Sequence, residues 1–508
     1  MRVQVWLFSL GWMVVAPVAL PAQELQPAHT PAASLTTSSA ETAEAEQTVQ
    51  AAASASAPTE SETCCPECRK HLAELNKKAA GAYKNPFYKN DFSYLLDPHY
   101  RDWHLGEGLK RLSTPLGGVL DLGGQYRMRF HNEQNMRGLG PTGRDDTFLL
   151  HRTRLYANWE ATPDFRVFVE YLDAVSQFEQ FAPRRIEENR SDFINIFAEA
   201  TLWENAQGRL GARVGRQEYL FGTERLVSPL DWSNTRRTFD GFTLYWRGEL
   251  WDIDGFWTRP RYPDARNFDN PDNSQQFFGV YSAYKGFRNA ALEFYYLNFS
   301  EDAGAVDFYF NTLGSRLAVD EGCWHLEAEA AYQFGEYGTA THSAGFYTIG
   351  LGRDLALIPR KPQLWVYFDW ASGDSIQGNG FHHLFPLGHY YLGFMDLFGR
   401  RNIQTVNMLY KHNLSKKWRL LLWWYVFWLQ RGDDVPYSVT MTPLVATPGG
   451  SRYLGQELDL IVGYRISPRM DVLLGYSYFW AGDFWATNPS ATFRGDAHFT
   501  YIQWVTNF

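Results

Sequence analysis

Beyond its N-terminus the chain has no uninterrupted apolar run of ~18 residues, the length an α-helix needs to cross a bilayer. The richest later stretch, residues 420–429, is about half that length. Cysteine is scarce, with four in 508 residues, and none stands at zinc-finger spacing with a histidine pair. There is no basic surplus: the formal charge of −9 excludes a general nucleic-acid binder, which carries a basic surface. A basic channel can still hide inside an acidic total. Neither a G-x-S-x-G elbow nor an H-E-x-x-H zinc helix occurs, which removes the commonest hydrolase signatures.

What the chain does have is aromatic residues, 17% of the total, within a hydrophobic share of 45% and a mean hydropathy of −0.37. Abundant aromatics without an apolar 20-mer suit a β-barrel, whose strands turn one face to lipid and one to water. A soluble β-protein would have similar totals, so organisation along the chain has to decide.

Residues 1–22 read as a signal peptide, with Arg2 at the charged end and an apolar stretch broken by Pro17. Pro17 and the lack of flanking charges disfavour a membrane anchor. Residues 23–61 are rich in Ala, Ser, Thr, Glu and Pro and contain no aromatic side chain, the composition of a disordered linker. Residues 62–115 form a periplasmic extension with Cys64, Cys65 and Cys68 and a short helix from Pro66 to about Ala80. The cysteines read as a disulfide or a partner cysteine in an oxidising compartment; a metal site that includes His71 is the sharper alternative.

From 116 to 508 the texture is all-β. Polarity alternates along segments punctuated by Gly, Pro, Asn and Asp. Eighteen strands are predicted, starting near Val119, Thr147, Asp164, Ile194, Arg209, Thr238, Trp251, Gln276, Asn289, Asp307, Gly322, Ala344, Gln363, Asn402, Lys417, Leu454, Arg469 and His498. The links alternate in length. Short ones at 162–163, 248, 286–288, 413–416 and 467–468 are interleaved with long ones at 133–146, 175–193, 220–237, 260–275, 372–401 and 431–453. Short turns on one rim and long loops on the other mark a transmembrane antiparallel barrel with periplasmic turns and extracellular loops. The chain ends on Phe508, preceded at alternate positions by Thr506, Trp504 and Ile502, which resembles the signal read by the outer-membrane assembly machinery. Trp423-Trp424 and Tyr390-Tyr391 are expected at interfacial girdles, with at most one residue of each pair touching lipid.

Three stretches resemble the alginate-export family of outer-membrane channels. The first is Gly215-Arg216-Gln217-Glu218-Tyr219, then Glu224-Arg225-Leu226, Trp232 and Arg237-Thr238-Phe239-Asp240-Gly241. The second is Phe368-Asp369-Trp370-Ala371-Ser372-Gly373-Asp374, then Phe385-Pro386-Leu387-Gly388-His389 and Gly393-Phe394-Met395-Asp396. The third, generic to barrels, runs from Gly455 to Leu460 and on to Tyr478. The resemblance covers about 116–508 and implies a monomeric eighteen-stranded barrel with an electropositive constriction, loops that occlude the pore, and passage of polyuronate from periplasm to outside. The long N-terminal extension and the Phe381-His382-His383 insert depart from the family pattern.

Strand parity selects the lumen candidates. Arg127 and Arg129 share a face, as do Arg152 and Arg154 on the next strand, so four guanidiniums are expected on one wall. Arg213, Arg237 and Arg465 are further basic candidates; Glu170, Glu199, Asp369, Glu457 and Asp459 are acidic ones able to pair with them. Arginine suits a carboxylate polymer because its planar fork stays charged and binds carboxylate bidentately. The same arginines would also serve a charge-compensating ladder with no role in transport. Arg216 and Glu218 fall on the opposite parity to Arg213, at a rim or past a bulge. The loop at 372–401, with Asp374, His382, His383 and His389, is the candidate gate.

The expected partners are an anionic polysaccharide or other polar solute, outer-membrane lipid, the assembly machinery and a periplasmic partner of the extension. No cofactor, metal or nucleic acid is expected. Competing readings are an uptake porin for small anionic nutrients, a barrel-anchored surface-binding protein, and a barrel enzyme built from loop residues. Transport direction and solute identity stay open at this level.

Overall fold

The protein is described by a computed structural model of residues 66–508. The expected signal peptide, the linker and Cys64 and Cys65 lie outside the described residues. The barrel has eighteen antiparallel strands: β2 (Val119–Gln134), β3 (Asp146–Thr162), β4 (Phe165–Gln177), β5 (Asn189–Asn205), β6 (Gly208–Gln217), β7 (Thr238–Gly248), β8 (Trp251–Arg261), β9 (Gln275–Tyr284), β10 (Ala290–Glu301), β11 (Phe308–Glu321), β12 (Trp324–Tyr337), β13 (Ala340–Asp354), β14 (Gln363–Ala371), β15 (Ile403–Asn413), β16 (Trp418–Leu429), β17 (Tyr453–Ser467), β18 (Met470–Ala481) and β19 (Ala497–Asn507). A two-residue strand, β1 (Leu112–Ser113), leads into β2.

Each barrel strand pairs with its sequence neighbours, and β19 pairs with β2 to close the sheet. Closure satisfies every strand edge, as a sheet in lipid requires. Phe508 completes the seam: its N–H donates to the Gly124 carbonyl at 3.0 Å and its carbonyl accepts from the Gly124 N–H at 2.8 Å. The sequence starts agree with the strands except at two sites. β5 begins five residues early, across a polar run that contains Ser191 at φ 57, where regular alternation is lost. β13 begins at Ala340, because Gly338 at φ +57 turns the chain within residues 338–339.

Alternation sorts the side chains. Outward positions such as Leu155, Leu313, Leu351, Val366 and Ile502 are exposed and apolar, as lipid contact requires. Inward positions on β2 and β3 are mostly charged, polar or aromatic and buried, with Leu150 the aliphatic exception on β3. Trp159, Trp203, Trp246, Trp251, Trp324 and Trp418 lie at strand ends on the short-turn rim and form the girdle. The expected pairs behave differently. Trp423 is buried in the lumen and donates to Asn407 at 2.8 Å. Tyr390 and Tyr391 sit in a short helix, α2 (Gly388–Tyr391), within an inward loop.

The N-terminal extension enters the barrel from the short-turn rim. Helix α1 (Pro66–Ala80) stays largely exposed, but Leu75 and Ala79 begin an apolar cluster that continues through Phe87, Tyr88 and Phe92 onto Tyr156, Phe168 and Phe197 of β3, β4 and β5. Arg469, in a short turn, holds this segment: it donates to the Ala79 carbonyl at 2.6 Å, to Tyr94 at 2.8 Å and to Glu107 at 3.1 Å.

Candidate functional site: the filled lumen

Antiparallel register sets Arg127 directly opposite Arg152. Like charges in such a pair repel, and the loop at 218–237 removes the conflict by folding inward and presenting oxygen atoms. Arg127 donates to the Asp231 carbonyl at 2.7 Å and Arg129 to the Trp232 carbonyl at 2.7 Å. Arg152 donates to the Asp231 carboxylate at 2.9 Å and to the Ser233 carbonyl at 3.1 Å. The Arg129 guanidinium also lies 3.8 Å over the Trp232 ring. The expected cluster of four therefore exists and is buried, and three of its members grip one loop. Arg154 instead meets Glu170 at 2.6 Å and lies 3.7 Å over the ring of Phe87 in the extension. The Nε–H groups of Arg127, Arg129 and Arg152 have no hydrogen-bond partner, so the cluster keeps spare donor capacity.

Asp231 sits at the centre of this charge. Burial pushes its carboxyl upward, but Arg152 and Arg236 outweigh that and hold it well below the usual carboxylate range. Its side chain is 41% exposed, so one side faces lumen space.

The other candidates divide by role. Arg213 pairs with Glu199 at 2.7 Å and lies 4.3 Å over Tyr88. Arg237 precedes β7 and donates to the carbonyls of Ser228 at 3.2 Å and Pro386 at 3.0 Å, so it clamps two loops together. Arg465 departs from the expectation. It is half-exposed near the periplasmic turn, 3.7 Å from Asp471, and stands apart from the arginine cluster. The ladder reading holds for Asp369, which accepts from Arg400 at 2.7 Å and Asn407 at 3.2 Å. It does not hold for Glu457 and Asp459, which accept loop backbone N–H groups: Met395 at 2.9 Å and Phe394 at 3.3 Å. Gly393 makes this docking possible, because a Cβ there would lie 2.5 Å from the Glu457 carboxylate and its φ is +95. The Arg216–Glu218 ambiguity resolves without a bulge in β6. Arg216 is the penultimate residue of the strand, tied to Asp192 at 2.9 Å, and Glu218 lies past the strand end, buried against Arg236.

The loop at 372–402 also folds inward. His383 accepts from the Arg400 N–H at 3.3 Å, and His382 accepts from the Leu384 N–H at 3.0 Å. Burial, reinforced by neighbouring positive charge, keeps both imidazoles well below their usual pKa. Asp374 caps the loop start by accepting from the Ile376 N–H at 2.8 Å. The two loops pair with each other. Ser228 N–H donates to the Phe385 carbonyl at 2.9 Å, Phe385 N–H to Leu226 at 2.8 Å and Leu387 N–H to Glu224 at 2.8 Å. From this unit Arg225 reaches Glu327 at 2.6 Å and Glu329 at 3.2 Å on β12. The extension meets it from below: Arg236 donates to the Asn85 side chain at 2.7 Å, and the Tyr88 hydroxyl to the Glu218 carbonyl at 2.8 Å.

Sequence reasoning missed Arg225, Asp231, Arg236, Arg400, Asn85 and Tyr88. All lie in loops or the extension, where strand parity carries no information. The adjacent Arg236-Arg237 pair beside Trp232 was the one signal available.

No curated protein matches the chain. Among solved structures it is similar to Acinetobacter baumannii OccAB1 (TM-score 0.53, 10% identity, 77% of this chain and 96% of that one). It is also similar to Pseudomonas aeruginosa OpdO (0.52, 12%, 76% and 97%) and OccD3 (0.51, 10%, 76% and 91%). The alginate-export family profile matches residues 119–495. The two inward loops and the arginine wall that they cover fall within that match, and the chain belongs to the alginate-export family of outer-membrane β-barrel channels.

Proposed function

We propose that the channel passes a polyanionic sugar polymer, alginate-like, along the wall formed by Arg127, Arg129, Arg152 and Arg154, and that the protein works as a monomer. The observation that carries this reading is the Arg127–Arg152 pair, two like charges set directly opposite and reconciled by oxygens of a loop rather than of the barrel wall. Loop carbonyls and Asp231 act as internal stand-ins for solute carboxylates, which bind the same forks when the loop withdraws. A polymer needs many weak contacts that release as readily as they form. Single-channel conductance in planar bilayers tests the reading. Anion-selective current blocked by polyuronate supports it, and the side from which block is stronger gives the direction. Cation selectivity, or current indifferent to polyuronate, removes it.

A second reading, uptake of a small anionic nutrient, draws support from the way both loops and the extension narrow the lumen. Block by short uronate oligomers but not by long polymer would select it.

A further inference from the structure

We propose that His71, Asp97 and His99 form a binding site for a divalent transition-metal ion of the zinc class, on the N-terminal extension outside the barrel wall. One ligand atom from each residue lies within 4.8 Å of the others, and among the described residues this is the only such group of three. The Asp97 carboxylate is addressed from both sides: Oδ2 lies 2.8 Å from His71 Nε2 and Oδ1 lies 3.1 Å from His99 Nδ1. The His99 N–H donates to Oδ1 at 2.9 Å, which fixes the carboxylate relative to the turn. The two imidazoles stand edge to face with centroids 5.6 Å apart, so two bases converge on one acid.

Convergence is what separates this group from an ordinary ion-pair cluster. His325 also touches two carboxylates, but through opposite ring nitrogens, Nδ1 to Asp320 at 2.6 Å and Nε2 to Asp354 at 3.1 Å, which no single ion can bridge. At the N-terminal group, donors already spaced at hydrogen-bond distance need only small shifts to surround an ion at ~2.0–2.2 Å. Two imidazoles and one carboxylate select zinc, nickel or copper over calcium or magnesium, which take oxygen ligands. The side chains of His71 and His99 are 48% and 73% exposed, so an ion enters from water without unfolding. Three protein ligands leave a fourth position for water. Bound there, the ion joins α1 to a turn 26 residues further along the chain and so braces the segment that enters the barrel.

The test uses the full-length protein in detergent at about pH 7.5, since metal binding competes with protons for its ligands. Zn²⁺ is titrated by calorimetry, and Co²⁺ serves as the optical probe. One equivalent is expected, lost in both His71→Ala and His99→Ala and kept in His325→Ala. Limited proteolysis within α1 should slow on adding Zn²⁺ in the parent protein and not in His99→Ala. Unchanged heat-modifiability of the barrel on gels confirms that the variants fold. Absence of binding, or one equivalent retained in both histidine variants, as binding at the cysteines would give, overturns the proposal.

Discussion

Trp232 and His389, from two different inward loops, stack face to face with ring centroids 3.4 Å apart and planes 8° from parallel. Each has a second partner: Trp232 carries the Arg129 guanidinium at 3.8 Å, and His389 Nδ1 meets Asp396 at 3.0 Å. The stack joins the arginine-gripped loop to the loop seated on Glu457 and Asp459, so neither is expected to move alone. An aromatic pair is worth ~0.5–1.5 kcal/mol beyond its buried area. Trp232→Ala should therefore raise the open-state fraction several-fold in single-channel records while the barrel stays intact.

Gly393 tests the seat of the second loop. Its positive φ and the carboxylate 2.5 Å from a Cβ leave no room for a side chain. Gly393→Ala should release the loop, raising conductance and protease sensitivity within 372–402, while the barrel strands are left unaltered.

The arginine wall predicts opposite effects from opposite charges. Arg127→Ala with Arg129→Ala should weaken polyuronate block and lower anion selectivity, read as a shift in reversal potential. Asp231→Asn should do the reverse at the loop, because it removes the competing internal carboxylate that accepts from Arg152. Barrel stability should fall modestly in the first case, since the Asp231 and Trp232 carbonyls lose their donors and an unsatisfied buried polar group costs ~1–3 kcal/mol.

The extension predicts a gate on the periplasmic side. Phe87→Ala with Tyr88→Ala removes the ring beneath Arg154 and the hydrogen bond to Glu218. Larger and noisier conductance is expected. Arg469→Ala should act similarly by detaching Ala79, Tyr94 and Glu107 together.

Acidification should loosen the loop at 372–402. His382 and His383 are held below their ordinary value of 6.5 by burial first and by neighbouring positive charge second, and each accepts a backbone N–H. As pH falls below 6.5, the undocked loop binds protons before the docked one, so stability present above 6.5 is lost below it. Conductance should rise between about pH 6.5 and 5, and His382→Gln with His383→Gln should flatten the response.

Much of this protein was legible as pattern. Alternating polarity fixes which face of each strand meets lipid, because the side-chain period of a strand is two, and alternating loop length fixes which rim is which. Val119, Thr238, Trp251 and Gln363 start strands as expected for that reason. Parity also placed Arg127, Arg129, Arg152 and Arg154 together on one buried wall. Tertiary structure alone decided what those arginines touch. The loops and the extension have no period, so nothing local says that Asp231 and Trp232 fold inward, that Glu457 and Asp459 accept loop N–H groups, or that Phe87 enters from below. Buried charge must be compensated by whatever oxygen the fold delivers, and residues more than a hundred positions apart, such as Arg127 and Asp231, meet only once the barrel has closed.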